Sequence, residues 1–136
     1  MSRRLLMLAL LLSFTGCATR KYMLSRPLDS GLKAVYAAPF DKVKRACYDT
    51  IAEVDYSIKD EKWDGRDDTC WVINTSVGLS SGGAGKFARI VIQKSEKEQT
   101  VYVLVESKAG TRGAAAGDED DQKSLQARIE KRVTGK

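Results

Sequence analysis

From Lys33 onward, apolar residues recur along the chain with two different periods. After Pro39 they fall three and four apart, at Phe40, Val43, Cys47, Ile51 and Val54 of FDKVKRACYDTIAEV. That spacing predicts a helix over 40–54 whose apolar stripe covers about 80° of its circumference, with Cys47 near the middle. Proline suits the first turn, where its missing N–H costs nothing, and Asp41 complements the positive end of the helix dipole. Elsewhere the period shortens to two. KAVYAA (33–38), YSIKDE (56–61), CWVINTSV (70–77), FARIVIQK (87–94) and TVYVLVES (100–107) read as strands. SEKEQ (95–99) is short enough to close a hairpin, and the glycine-rich GLSSGGAGK (78–86) reads as a flexible loop between the third and fourth strands. The final stretch, 118–133, has acids first and bases last, with Leu125, Ile129 and Val133 on one side, and predicts a second amphipathic helix.

The resulting order, β-α-β-β-β-β-α, implies an α+β fold: a single antiparallel sheet of four to five strands with two helices packed on one face. Strand parity then distributes the side chains. If Cys70 and Val72 point at the helices together with Ala88, Ile90, Ile92, Val101, Val103 and Val105, then Cys70 comes opposite Cys47. A Cys47–Cys70 disulfide would close a loop of about two dozen residues and stabilise by about 3 kcal/mol; the alternative is two reduced, buried thiols acting as small apolar side chains. The same parity turns Trp71, Ile73, Phe87, Val91, Tyr102 and Leu104 away from the helices. A sheet with one wet face alternates apolar with polar residues, so this second apolar face is expected to be covered, by another copy of the chain, another protein, or the residues preceding the first strand. Reversed parity in one strand is the competing explanation.

The N-terminal residues follow another pattern. Met1–Arg4 carries two positive charges, Leu5–Phe14 is a nearly unbroken apolar run, and FTGC (14–17) ends it on small residues and a cysteine. The run falls short of the roughly 20 residues a spanning helix needs and has the three-part form of a secretory leader. Phe14-Thr15-Gly16-Cys17 resembles the lipobox of bacterial lipoproteins, with Phe14 where that family usually has Leu. The resemblance implies cleavage between Gly16 and Cys17 and lipidation of Cys17 by diacylglyceryl and N-acyl chains of the palmitate type. Ala18 replaces the Asp that retains enterobacterial lipoproteins at the inner membrane, which implies the periplasmic face of the outer membrane. Two or three acyl chains, at about 0.8 kcal/mol per buried methylene, hold essentially permanently. Residues 1–16 are then the leader, 17–32 a lipidated tether and 33–136 the periplasmic domain. The element order of that domain resembles the small helix-grip domains of outer-membrane lipoproteins, BamC of the β-barrel assembly machine among them. That likeness is one of element order and transfers no functional residue.

Charge and composition narrow the chemistry. The formal charge is +5, but with Arg3 and Arg4 set aside 21 basic residues face 18 acidic ones, interspersed and without a basic block. Nucleic acid is therefore not expected as a partner. The chain has no histidine, which removes the commonest general base, the usual activator of a nucleophilic Ser or Cys, and the commonest zinc ligand. Two motifs almost form. SSGGAGKF (80–87) has Ser80 and Phe87 where a phosphate loop requires Gly and Ser or Thr. DEKWDGRDDTCW (60–71) places Asp60, Asp64, Gly65 and Asp68 as a calcium loop does, but with Lys62 and Trp71 at two ligand positions. DEDD (118–121) reads as a helix N-terminus. No catalytic residue, metal or cofactor is expected beyond the lipid on Cys17.

These features point to a non-enzymatic, membrane-anchored lipoprotein with a structural or assembly-accessory role, touching an envelope protein or a second copy of itself. The alternative is a binder of a small apolar or lipid-like ligand held between sheet and helices.

Overall fold

The computed structural model describes residues 25–77, 85–107 and 114–136, with side chains of the last segment from Asp118 onward. Leu5–Phe14, Gly16 and Cys17 lie outside the described residues, as does most of the glycine-rich loop. Seven elements follow in the order expected: β1 (Leu32–Tyr36), α1 (Phe40–Glu53), β2 (Ser57–Asp64), β3 (Cys70–Ser76), β4 (Lys86–Gln93), β5 (Gln99–Ser107) and α2 (Ala114–Thr134). The strands form one antiparallel sheet in the order β1-β5-β4-β3-β2. Both helices pack on the same face of it.

The helical stripe read from the sequence is the one that is buried. Val43, Cys47 and Ile51 of α1 meet Leu125, Ile129 and Val133 of α2 over Ile73, Ala88, Ile90, Ile92 and the alternate valines 101, 103 and 105. Val43, Cys47, Ile92, Val101, Val103 and Ile129 are at 0% exposure. The layer that a ligand between sheet and helices would need is thus occupied by the protein's own side chains. α1 ends where Asp55 takes a left-handed conformation (φ 59°), letting the Tyr56 N–H reach the Ile51 carbonyl at 3.1 Å and the Asp55 N–H reach Ala52 at 3.2 Å. Those two bonds satisfy carbonyls that the end of the helix would otherwise orphan.

Unequal strand lengths explain the polar residues of α2. β1 pairs with β5 only from Gln99 to Val103, so the rest of β5 has no strand on that side. At four-residue intervals α2 bonds this stretch through Asp118 and Gln122 and the neighbouring paired stretch through Gln126. Asp118 accepts the Ser107 N–H at 2.9 Å, Gln122 accepts the Val105 N–H at 3.0 Å, and Gln126 donates to the carbonyls of Leu32 and Val101 at 3.0 and 3.1 Å. Gln126 also accepts the Tyr36 hydroxyl at 2.7 Å. Spacing of i, i+4, i+8 puts all three on one helix face, and the first of them belongs to the acidic run 118–121.

Strand β3 has the opposite parity to the one expected, and the disulfide falls with it. Trp63 of β2 pairs directly with Trp71, and Trp71 and Ile73 lie against the helix-side core. Cys70 and Val72 consequently point to the other face, where they pack with Val91, Leu28 and Tyr102. Trp and Ile bury more apolar area than Cys and Val, at about 25 cal/mol per Å2, which favours this assignment of faces. Cys47 and Cys70 are both free thiols on opposite sides of the sheet, whereas a bridge needs Cβ atoms about 4 Å apart. The alternative of two reduced, buried cysteines is the one that holds.

Replacing Gln126 by Leu removes both donors and the Tyr36 acceptor from a buried position. Urea denaturation is expected to show a loss of about 2–3 kcal/mol, the scale of leaving buried polar groups unpaired.

Candidate functional site

Two surfaces carry the chemistry of this domain, and they lie on opposite faces of the sheet. On the face away from the helices, the central strands present Tyr102, Val91 and Val72 in one row, flanked by a second row of Leu104, Arg89, Asn74 and Asp60. Residues 25–31, from the segment expected to be tether, cover it. Leu28 packs on the cluster of Cys70, Val72 and Val91, as does Tyr102. Arg89, only 2% exposed, donates from Nη1 to the Arg26 carbonyl at 2.9 Å and from Nη2 to the Pro27 carbonyl at 2.7 Å. Arg26 in turn forms an ion pair with Glu106 at 3.2 Å. Burial lowers the pKa of Arg89 from its ordinary value, opposed by the negative charges of Asp64 and Glu106; a guanidinium stays charged even so. At Gly31 (φ +103°) the strap turns into β1 so close to β5 that a Cβ would sit 2.3 Å from the Val103 carbonyl oxygen. Only glycine fits there.

The six residues expected to share a partner surface therefore do not share a face. Phe87, Val91, Tyr102 and Leu104 are on the side of the strap, and Val91 and Leu104 are buried at 1% and 4% exposure. Trp71 and Ile73 are on the helix side.

The second surface is an aromatic platform at the edge of the sheet, on the helix side. Phe40 opens α1 and stacks on Trp63, ring centroids 5.4 Å apart and planes 24° from parallel. Trp63 meets Trp71 edge-on at 5.1 Å. Lys44 holds its ammonium 4.2 Å from the centroid of Trp71, and Lys94 holds its own 5.3 Å from Phe40 and 5.9 Å from Trp63. Beneath the rings, Trp71 Nε1 donates to the Tyr48 hydroxyl at 3.0 Å, and that hydroxyl donates to Glu61. Helical spacing of four brings Phe40, Lys44 and Tyr48 to one side of α1, and cross-strand pairing brings the tryptophans beneath it. Trp63 remains 39% exposed.

Burial and ion pairing shift several of the titratable groups. Burial pushes the Cys47 thiol up to about 12, so it is no nucleophile at neutral pH. Burial, followed by the bond to Glu61, pushes Tyr48 up to about 12. Glu53, at the mouth of a surface cleft between the helices, is held below the usual carboxylate range by its bond from Arg132, with Arg128 on its other oxygen. The motif residues are used structurally. Asp60 accepts from Asn74 at 2.7 Å, Asp64 accepts the Gly65 N–H at 2.7 Å, and Lys86 pairs with Asp121. Among the described residues no group of three acidic or cysteine side chains is placed to hold a metal ion, and no helix is long and apolar enough to cross a bilayer.

Trp63 was the residue hardest to find from sequence. The expected strand ended at 61, two residues before it, and a pair of tryptophans eight residues apart across a Gly-containing turn was the available sign.

Arg89→Met is expected to cost about 3 kcal/mol, since it removes two charge-assisted bonds and leaves the strap carbonyls without donors. Faster amide exchange over 28–31 would accompany the loss. Alkaline pH should act through Cys47 and Tyr48: both are kept protonated in the fold to about 12 but ionise in the unfolded chain near 9 and 10. Their contribution is complete below pH 9 and disappears as pH rises toward 12. The urea midpoint should thus be level from pH 7 to 8.5 and fall above 9, less steeply in Cys47→Ala.

No protein-family model matches the chain, and a search of curated proteins finds no significant relative in sequence.

Proposed function

We propose that this protein is a lipid-anchored, non-enzymatic contact module of the bacterial envelope, attached through Cys17 to the periplasmic face of the outer membrane. The observation that carries the reading is the strap. A chain leaving the bilayer at Cys17 reaches residue 25 after eight residues, at most about 28 Å of extended backbone, and is then clamped by Arg89 onto the back of the sheet. The domain would hang close to its anchor in a restricted set of orientations. From the row holding Glu106 to the row holding Val101 and Ile92, level with Trp71, is five residues, about 17 Å along the strands. The aromatic platform would therefore be offered on the face away from the strap, toward the end of the sheet opposite the Arg26–Glu106 pair. The filled helix–sheet layer favours contact through this surface over ligand storage inside. Two acyl chains or more would supply the membrane attachment, so the domain needs no lipid-binding surface of its own.

Intact mass of the protein purified from membranes, alkylated in denaturant without reduction, tests the anchor. A chain beginning at acylated Cys17 and carrying two alkyl groups, on Cys47 and Cys70, is the expected result. A chain that retains Met1 with three alkylated thiols would refute it.

A further inference from the structure

We infer that the platform formed by Phe40, Trp63 and Trp71 receives a short acidic segment of another protein, whose carboxylates meet Lys44 and Lys94 while an apolar side chain covers Trp63. This names the partner chemistry for the contact module proposed above and rests on that reading.

Trp63 stands on β2, an edge strand of the sheet, and keeps more than a third of its surface in water. Its ring is nonetheless held by Phe40 on one side and Trp71 at its edge, so a partner closing over it would immobilise little that is free beforehand. Rigid aromatic groups that are part exposed and ringed by polar side chains are the usual anchors of protein contacts.

The lysines supply the sign of the partner. Lys62, Lys86 and Lys123 each lie within ion-pair distance of a carboxylate. Lys44 and Lys94, like several other lysines, have no carboxylate in ion-pair range among the described residues; what sets them apart from these three is that their ammonium groups rest over the rings. A ring face attracts an ammonium but fills none of the lone-pair acceptor places its three N–H groups can use. Two fixed positive charges at the rim of an exposed tryptophan are complementary to an anion that brings apolar surface with it.

The surroundings limit how wide that anion can be. Asp67 and Asp68 on the turn after β2, and Glu96 and Glu98 on the turn after β4, are all exposed, near in sequence to Trp63 and Lys94, and interleaved with the exposed Lys62, Arg66 and Lys97. Charges of alternating sign around the platform give a phospholipid bilayer no continuous basic surface to lie on, whereas a narrow peptide segment can reach the two lysines alone.

The test is a titration of the full chain in neutral detergent, read by emission of its two tryptophans. The probe is a synthetic decapeptide of alternating glutamate and serine with one central leucine. Its lysine counterpart and phosphatidylglycerol vesicles are run alongside. A saturable shift with the acidic peptide is expected, weakened at least tenfold in Lys44→Gln/Lys94→Gln and in Trp63→Ala, and weakened by 0.5 M salt. The double lysine change is on the surface and its melting curve should match the parent, which keeps the test sound if Trp63→Ala loosens the edge strand. No shift, an unchanged affinity in the double variant, an equal response to the lysine peptide, or a response to vesicles alone would each overturn the inference. Those outcomes leave the lipid anchor untouched, because that reading stands or falls on the mass at Cys17.

Discussion

The central strands of this sheet are apolar on both faces, and most of the structure is a response to that condition. An uncovered second face would leave Val72, Val91, Tyr102 and Leu104 against water. The two helices cover one side. On the other the chain folds back its own residues 25–31, with Leu28 laid over the apolar row. A strap of seven residues has too little apolar area to hold itself down, and the buried guanidinium of Arg89 fastens it through two main-chain carbonyls. A charge is costly to bury unless well bonded, and the carbonyls of the strap bond it. The apolar row and the buried arginine thus depend on each other's cover.

Covering the two faces differently has a mechanical result. The face under the strap is committed to the segment that leads toward the proposed anchor. The helix face is closed everywhere except at its edge, where β2 extends past the reach of α2 and α1 begins. There the apolar surface is aromatic, and the fold protects it with lysine side chains. Edge strands invite unwanted pairing, and the irregular register between Ile58 and Asp60 together with the charges of β2 blunts that tendency. Val35 of β1 and Ile58 of β2 also stay exposed, but the aromatic surface around Trp63 is the one that carries a defined charge.

The polar side of α2 follows from strand lengths. Because β1 is five residues long and β5 nine, part of β5 has no strand on one side; Asp118 and Gln122 complete the hydrogen bonding there, and Gln126 bonds the adjoining carbonyls of Leu32 and Val101. A buried backbone group must find a partner, so a short edge strand obliges the neighbouring helix to be polar on one side. This accounts for the thin apolar stripe of α2 and gives Asp118 a structural task. The acidic cluster 118–121 needs no cation to explain it.

Local pattern determined the element order, the buried stripe of α1, the faces of β4 and β5, and the lack of histidine chemistry, because each depends on a period or a composition that a linear chain displays. The parity of β3 was different. Cys70-Trp71-Val72-Ile73 is apolar at every position, so alternation cannot say which pair turns inward; only the meeting of Trp71 with Trp63 and Tyr48 decided it. That choice separated Cys47 from Cys70 and divided the six expected surface residues between two faces. The strap was equally hidden, since residues 25–31 have no period of their own and take their shape from Arg89, about sixty residues later in the chain. Periodicity reports how a segment repeats; which segments meet, and on which side, is settled only when the sheet closes and every buried donor has found its acceptor.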